Sequence, residues 1–248
     1  MRVLITGTRS GEGVTTAAVN LALMFAETGR PVSYIDCDLD KRTGYDLLDP
    51  EPEMDGGALC PVESEQSGPV SGLLIKGNAW GIDCHSVCSA GLENGMKKQA
   101  LSQLLSIRAQ GVTVIDMPHS PEQYEMFLQG DADVIIAVTS PDSFESGNGL
   151  EKLHVYDCGS DRFFVIINKC MKNIPWTGNP VSQEGFEILC RLRYDPNIKR
   201  AAEKGCAALE QIPRYRPFFR KLAENIMKEE QTTPVPAYIK ARYAPAVG

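Results

Sequence analysis

No stretch of this sequence approaches the roughly 18 consecutive apolar residues that a membrane-spanning helix needs. Its first apolar run, Val3–Ile5, meets glycines too soon to form a secretory leader. The expectation is therefore a cytoplasmic protein. Positive charge is in short supply: 25 Lys and Arg face 32 Asp and Glu, for a net charge of −7. That balance argues against broad binding to DNA or to an anionic membrane surface. The three histidines, His85, His119 and His154, suggest no triad, and neither G-x-S-x-G nor H-E-x-x-H occurs. Repeated C-x-x-C runs are missing, which excludes a ferredoxin-type module. No internal repeat is visible.

What is present is a sizeable apolar fraction, 43% of 248 residues, enough for the core of one α/β domain. Residues 2–6 form a short apolar run, followed by a glycine-rich turn. The apolar segment 15–28 comes next, ended by Gly29 and Pro31 as a helix is. Residues 32–36 form a second strand, so the first 36 residues read as a βαβ unit, the building block of a parallel sheet. The pattern recurs with strands at 112–116, 133–138 and 163–168. Helices are expected near Pro121, over 143–155 and over 215–229. The strands are near-continuous apolar runs, as expected when helices cover both faces of a sheet. The predicted fold is a doubly wound, mainly parallel α/β sheet. One domain spans 1–230, with an insertion at about 44–95 and an extended tail over 231–248. Residues 44–75 hold seven acids and no Lys or Arg, which predicts a solvated surface segment.

The strongest chemical signal is Gly7-Thr8-Arg9-Ser10-Gly11-Glu12-Gly13-Val14-Thr15-Thr16. A glycine-rich turn between a strand and a helix aims backbone N–H groups and the positive end of the helix dipole at an anion. Gly11 and Gly13 permit the unusual backbone angles such a turn needs. Thr15 is placed to reach Mg²⁺ through its hydroxyl, and Thr16 to touch a phosphate or cap the helix. The pattern for such loops is G-x-x-x-x-G-K-S/T, and here Val14 stands at the lysine position. A charge-assisted contact to the outer phosphates is thereby lost, worth about 1.5–3 kcal/mol. Fast hydrolysis becomes harder to support.

This segment, continuing through Ile35-Asp36-Cys37-Asp38-Leu39-Asp40, resembles the start of the MinD/ParA-like P-loop ATPases, which carry K-G-G-x-G-K-S/T-T. It is also similar to bacterial tyrosine kinases in its Gly-Glu-Gly wording, and to BcsQ-like members that lack the P-loop lysine. The resemblance implies roles for particular residues. Arg9 falls on the signature lysine that crosses a dimer to the partner's phosphates. Asp38 positions the attacking water. Asp36 and Asp116 hold Mg²⁺ together with Thr15. Asn168 reads adenine, and Asp195 and Pro196, in Tyr194-Asp195-Pro196-Asn197, pack beside the base. ATP or ADP with Mg²⁺, a homodimer and a partner protein follow as expectations. Plainer readings stand beside these. Asp36 and Asp116 can cap turns, Asn168 can merely end its strand, Arg9 can be a solvated loop residue, and Val14 can pack against the core.

Eight cysteines, at 37, 60, 84, 88, 158, 170, 190 and 206, read as reduced thiols. Cys84 and Cys88, with three residues between them, are candidates for a zinc or Fe–S site, against the plainer reading of small core residues. Three function classes remain: a nucleotide-dependent switch with slow or absent hydrolysis, a scaffold that has lost turnover, and a metallocentre carrier. A tyrosine-kinase-like enzyme ranks below them, because the tail offers only Tyr238 and Tyr243.

Overall fold

The computed structural model describes residues 1–39, 41–52, 74–87, 93–117, 132–145, 149–157, 162–171 and 184–229. Its strands are β1 (Arg2–Gly7), β2 (Val32–Asp36), β3 (Glu51–Pro52), β4 (Leu74–Ala79), β5 (Ile82–Val87), β6 (Val112–Asp116), β7 (Val134–Thr139), β8 (Phe163–Cys170) and β9 (Glu187–Arg193). The helices are α1 (Val14–Glu27), α2 (Thr43–Leu48), α3 (Asn94–Ser106), α4 (Pro141–Glu145), α5 (Gly149–Asp157), α6 (Pro196–Glu203), α7 (Ala208–Gln211) and α8 (Arg216–Glu229).

Among the described residues these strands form one nine-stranded sheet in the order β3-β4-β5-β2-β6-β1-β7-β8-β9. From β5 to β9 every neighbouring pair is parallel, and β4 runs antiparallel to both β3 and β5. Strand β1 shows why its run is apolar throughout. Val3 and Ile5 join the core on one face of the sheet, and Leu4 joins the core on the other. Side chains alternate faces along a strand, so burying both faces removes the polar half of the alternation. On the first face α1 and α8 pack over β1, β2 and β7; on the second, α3 and α5 do so. Helix α1 is buried nearly all round and ends where Gly29, at φ 77°, accepts the left-handed turn that closes it.

The doubly wound parallel sheet is as the sequence predicts. The described parts of the expected insertion at 44–95 contain α2, β3, β4 and β5. Helix α2 buries Tyr45, Leu47 and Leu48 while Asp46 and Asp49 face outward. Asp46 and Asp49 are the solvated side of an amphipathic turn. Strand β5 is integral, pairing with β2 from Val32↔Ile82 to Ile35↔His85. It is hard to read in sequence because Asp83, His85 and Ser86 interrupt its apolar run; the last two are nonetheless buried. The helix expected near Pro121 and the tail over 231–248 lie outside the described residues. No described helix is long and apolar enough to cross a membrane.

Candidate functional site

The C-terminal ends of β1, β2, β6, β7 and β8 converge on one rim of the sheet, the usual position for a ligand in such folds. The loop from Gly7 to Val14 rises there. Gly11 (φ 81°) and Gly13 (φ 95°) both take left-handed backbone. Gly13 has a second constraint: a Cβ on it would lie 2.4 Å from Asn168 Nδ2. No side chain caps α1, so its first-turn N–H groups carry the unmatched donors and positive dipole end that favour an anion.

The loop is pinned from outside through its carbonyls. Tyr156 Oη donates to Gly7 O at 3.0 Å and Lys152 Nζ to Thr8 O at 2.7 Å, both from α5. From the end of β8, Asn168 Nδ2 donates to Glu12 O at 2.7 Å and Lys169 Nζ to Gly11 O at 2.5 Å. In a planar peptide the N–H points opposite to the carbonyl. Holding the Gly11 and Glu12 carbonyls this way turns the N–H groups of Glu12 and Gly13 to the other side.

Glu12 is the most densely bonded residue of the loop. Its carboxylate is buried, accepting from Thr8 Oγ1 at 2.8 Å, Arg9 N at 3.0 Å, Ser140 Oγ at 3.3 Å and Ser143 Oγ. It ties the loop to α4 instead of facing out of it. Val14 turns inward as well: it is 8% exposed and joins the α1-side core. Arg9 lies on the outer face, 47% exposed, with Nη2 3.8 Å from Asp142 Oδ2.

Beneath the loop, Asp36 and Asp116 end adjacent strands in direct register. Asp36 uses both oxygens on backbone donors, Oδ1 on Asp38 N and Oδ2 on Tyr45 N, each at 2.9 Å. Asp116 Oδ2 accepts from Tyr34 Oη at 2.7 Å, and Thr15 also bonds this carboxylate. Asp116 Oδ1 is buried with no hydrogen-bond partner. Burial pushes the Asp116 carboxyl up to about 8, the nearby Asp36 charge adds to this, and the bonds from Tyr34 and Thr15 oppose it. Asp36 is raised to about 6, again chiefly by burial, with the backbone donors from Tyr45 and Asp38 opposing. The Tyr34 phenol is pushed well above its ordinary range by burial and then by Asp116, so it stays protonated and acts as a donor.

Two buried carboxylates, one with an unused oxygen, beside a threonine hydroxyl and an anion-binding loop, fit a divalent cation. Among the described residues no group of three or more His, Cys, Asp or Glu could hold a metal by itself. A cation here needs oxygens from phosphate and water, the usual way Mg²⁺ is held at nucleotide sites.

The other predicted residues are placed as follows. Asp38 donates its N–H to Asp36, and its Oδ1 accepts from Lys41 N at 3.2 Å. Thr16 is half-buried in the first turn of α1, where its carbonyl accepts from Asn20. Asn168 lies on the loop itself, its Oδ1 accepting from Lys169 N at 2.8 Å. Asp195 is the N-cap of α6, with Pro196 at the helix start; it accepts from Asn197 N at 2.9 Å, from Tyr215 Oη at 3.1 Å and from Arg214. The Asn197 N–H first, and the Arg214 and Tyr215 donors after it, hold that carboxyl below its usual range. Cys84 is a buried core thiol bonded to Ile82 O at 3.5 Å, and burial pushes it up to about 12. Cys88 and His119 lie outside the described residues. Sequence reasoning did not single out Tyr34, Ser140, Ser143, Lys152, Tyr156 or Lys169 for the site. None belongs to a phosphate-loop motif, and only the fold carries them there.

Residues 3–208 match the family described as the CobQ/CobB/MinD/ParA nucleotide binding domain. The chain belongs to that family. It is 25% identical over 264 residues to the antiactivator FleN of Pseudomonas aeruginosa, covering 95% of this chain and 88% of that protein. Its fold is similar to that of the septum site-determining protein MinD of Pyrococcus horikoshii, solved in complex with Mg-ADP. That similarity has a TM-score of 0.67 at 18% identity, over 95% of this chain and 100% of that one. It is also similar to a chain of the MinC:MinD cell division protein complex of Aquifex aeolicus, with a TM-score of 0.61 at 16% identity, over 95% and 98% of the two chains.

Proposed function

We propose that this chain is an ATP-binding switch protein with slow or absent hydrolysis, which controls a partner protein through nucleotide-dependent homodimerisation. The observation that carries this is the Asp36–Asp116 pair, buried under an uncapped glycine loop, with Asp116 Oδ1 left without a protein partner. In this reading the backbone of Gly11, Glu12, Gly13, Val14, Thr15 and Thr16 cradles the phosphates. Thr15, Asp36 and Asp116 attend Mg²⁺, which neutralises phosphate charge. Asp38 sits on the water side, and Asn168 and Pro196 lie on the base side, with Asp195 holding the start of α6 there as its N-cap. Arg9, half exposed at the loop's outer face, is available to a second copy's phosphates. Val14 withholds the lysine charge, and so hydrolysis is slow at best. A relative that is an antiactivator and a fold neighbour solved with MinC support control of a partner.

The test is calorimetric titration of the protein with ATP and ADP, in Mg²⁺ and in EDTA, on wild type and Asp116→Ala. Micromolar binding that weakens in the variant is expected. No binding by wild type would overturn the reading.

A second reading has its own observation. Val14 is packed into the core, so the loop serves as structure even without a ligand, as in a scaffold that has lost nucleotide turnover. Binding without any ATP hydrolysis, and partner capture that ignores nucleotide, would favour it.

A further inference from the structure

Tyr34 is completely buried in the middle of β2. A valine or leucine would fill a strand core without a polar atom to satisfy, whereas a buried tyrosine hydroxyl must find a partner. Here the partner is Asp116, at 2.7 Å. The surroundings are shaped around that bond. A Cβ on Gly44 would lie 1.7 Å from the tyrosine hydroxyl and 2.9 Å from Asp116 Oδ2, so the first turn of α2 sits directly against the pair. The next residue of the same turn, Tyr45, donates its N–H to Asp36 Oδ2 at 2.9 Å. One helical turn therefore backs both acids, Asp36 through its own backbone and Asp116 through the tyrosine.

The consequence is an asymmetric carboxylate. Asp116 Oδ2 is tied down by the phenol, while Oδ1 is buried and has no hydrogen-bond partner. A carboxylate held by one oxygen cannot turn freely about its Cβ–Cγ bond, and the direction of the other oxygen is set. We infer that Tyr34 is a positioning residue for the cation of the nucleotide site: by holding Asp116 Oδ2 it aims Oδ1 at the place where Mg²⁺ and its water sit. This rests on the nucleotide-binding reading above and adds to it a residue from the hydrophobic side of the sheet.

The experiment measures ADP affinity by calorimetry, in Mg²⁺ and in EDTA, on the full chain and on Tyr34→Phe. If wild type binds ADP more tightly with Mg²⁺, Tyr34→Phe should lose about 3- to 10-fold of affinity in Mg²⁺, the size of one ordinary net hydrogen bond. It should lose none in EDTA. In an Asp116→Asn background the same substitution should add nothing, because the hydroxyl acts through that carboxylate. Should the phenylalanine chain be unstable, Tyr34→Leu makes the same test, since it keeps an apolar side chain in the core and removes the hydroxyl. Equal Mg²⁺ dependence in wild type and variant would overturn the inference and leave the nucleotide reading intact. Equal losses in Mg²⁺ and EDTA would reduce Tyr34 to a packing residue. Absence of ADP binding by wild type in both conditions would overturn both readings together.

Discussion

Val14 lies with its γ2 methyl against the Cα of Gly7; a Cβ built on Gly7 would meet that methyl at 2.6 Å. The residue at the phosphate loop's lysine position thus fills the floor of the loop, and Gly7 is needed to make room for it. Nothing in this contact uses charge. Val14→Lys should therefore restore a missing contact without disturbing a polar network. Its expected result is a gain of about tenfold or more in Mg-ATP affinity, as for a charge-assisted bond to phosphate. Calorimetry checks it; an unchanged affinity would mean that the remaining site does not present phosphate to this position.

Glu12 organises the loop from beneath. Glu12→Ala leaves the hydroxyls of Thr8, Ser140 and Ser143 without their shared acceptor and should cost about 2–3 kcal/mol in urea unfolding. Glu12→Gln, which keeps the size and two polar ends, should cost less. Equal stability of the alanine variant and wild type would show that the cage contributes nothing net.

The acid pair gives the protein a pH signature. The carboxyls of Asp116 and Asp36 are raised in the folded state, to about 8 and about 6, above their unfolded values. Their contribution is then fully present below the unfolded range near pH 4 and is lost as pH rises through the folded values. Without divalent cations, the melting temperature should fall by about 3 °C or more between pH 6 and pH 8.5. Asp116→Asn should flatten that slope. A melting temperature that climbs over the same interval would contradict the assignment.

Asp195 separates capping from base contact. Its carboxylate is spent on Asn197 N, Arg214 and Tyr215. Asp195→Ala should therefore lower stability by about 1–2 kcal/mol, the usual effect of losing an N-cap, while nucleotide affinity stays within about twofold. A marked loss of affinity at unchanged stability would instead place this carboxylate beside the base.

The sequence by itself determined the elements whose signals are local. Strands β1, β2, β6, β7 and β8 are apolar runs because both faces of the sheet are covered. Helix α1 is bounded by glycines that its ends require. The loop between β1 and α1 could be recognised from Gly11, Gly13, Thr15 and Thr16 because backbone geometry there demands those residue types at that spacing. Family membership followed from the same residues in order. Only the tertiary structure decided what the polar residues do, since their partners are far away in sequence. It set Glu12 under hydroxyls 128 and 131 residues away and gave Lys169 and Asn168 to the loop's carbonyls. It spent Asp195 on a helix cap. It also buried one side of α2 at the start of an acidic stretch that composition had marked as solvent-facing, and paired β5 with β2 inside the sheet. Strand periodicity and turn chemistry act over a few residues and can be read along the chain. Satisfying a buried hydroxyl or carboxylate depends on which strands become neighbours, and that is a property of the sheet order.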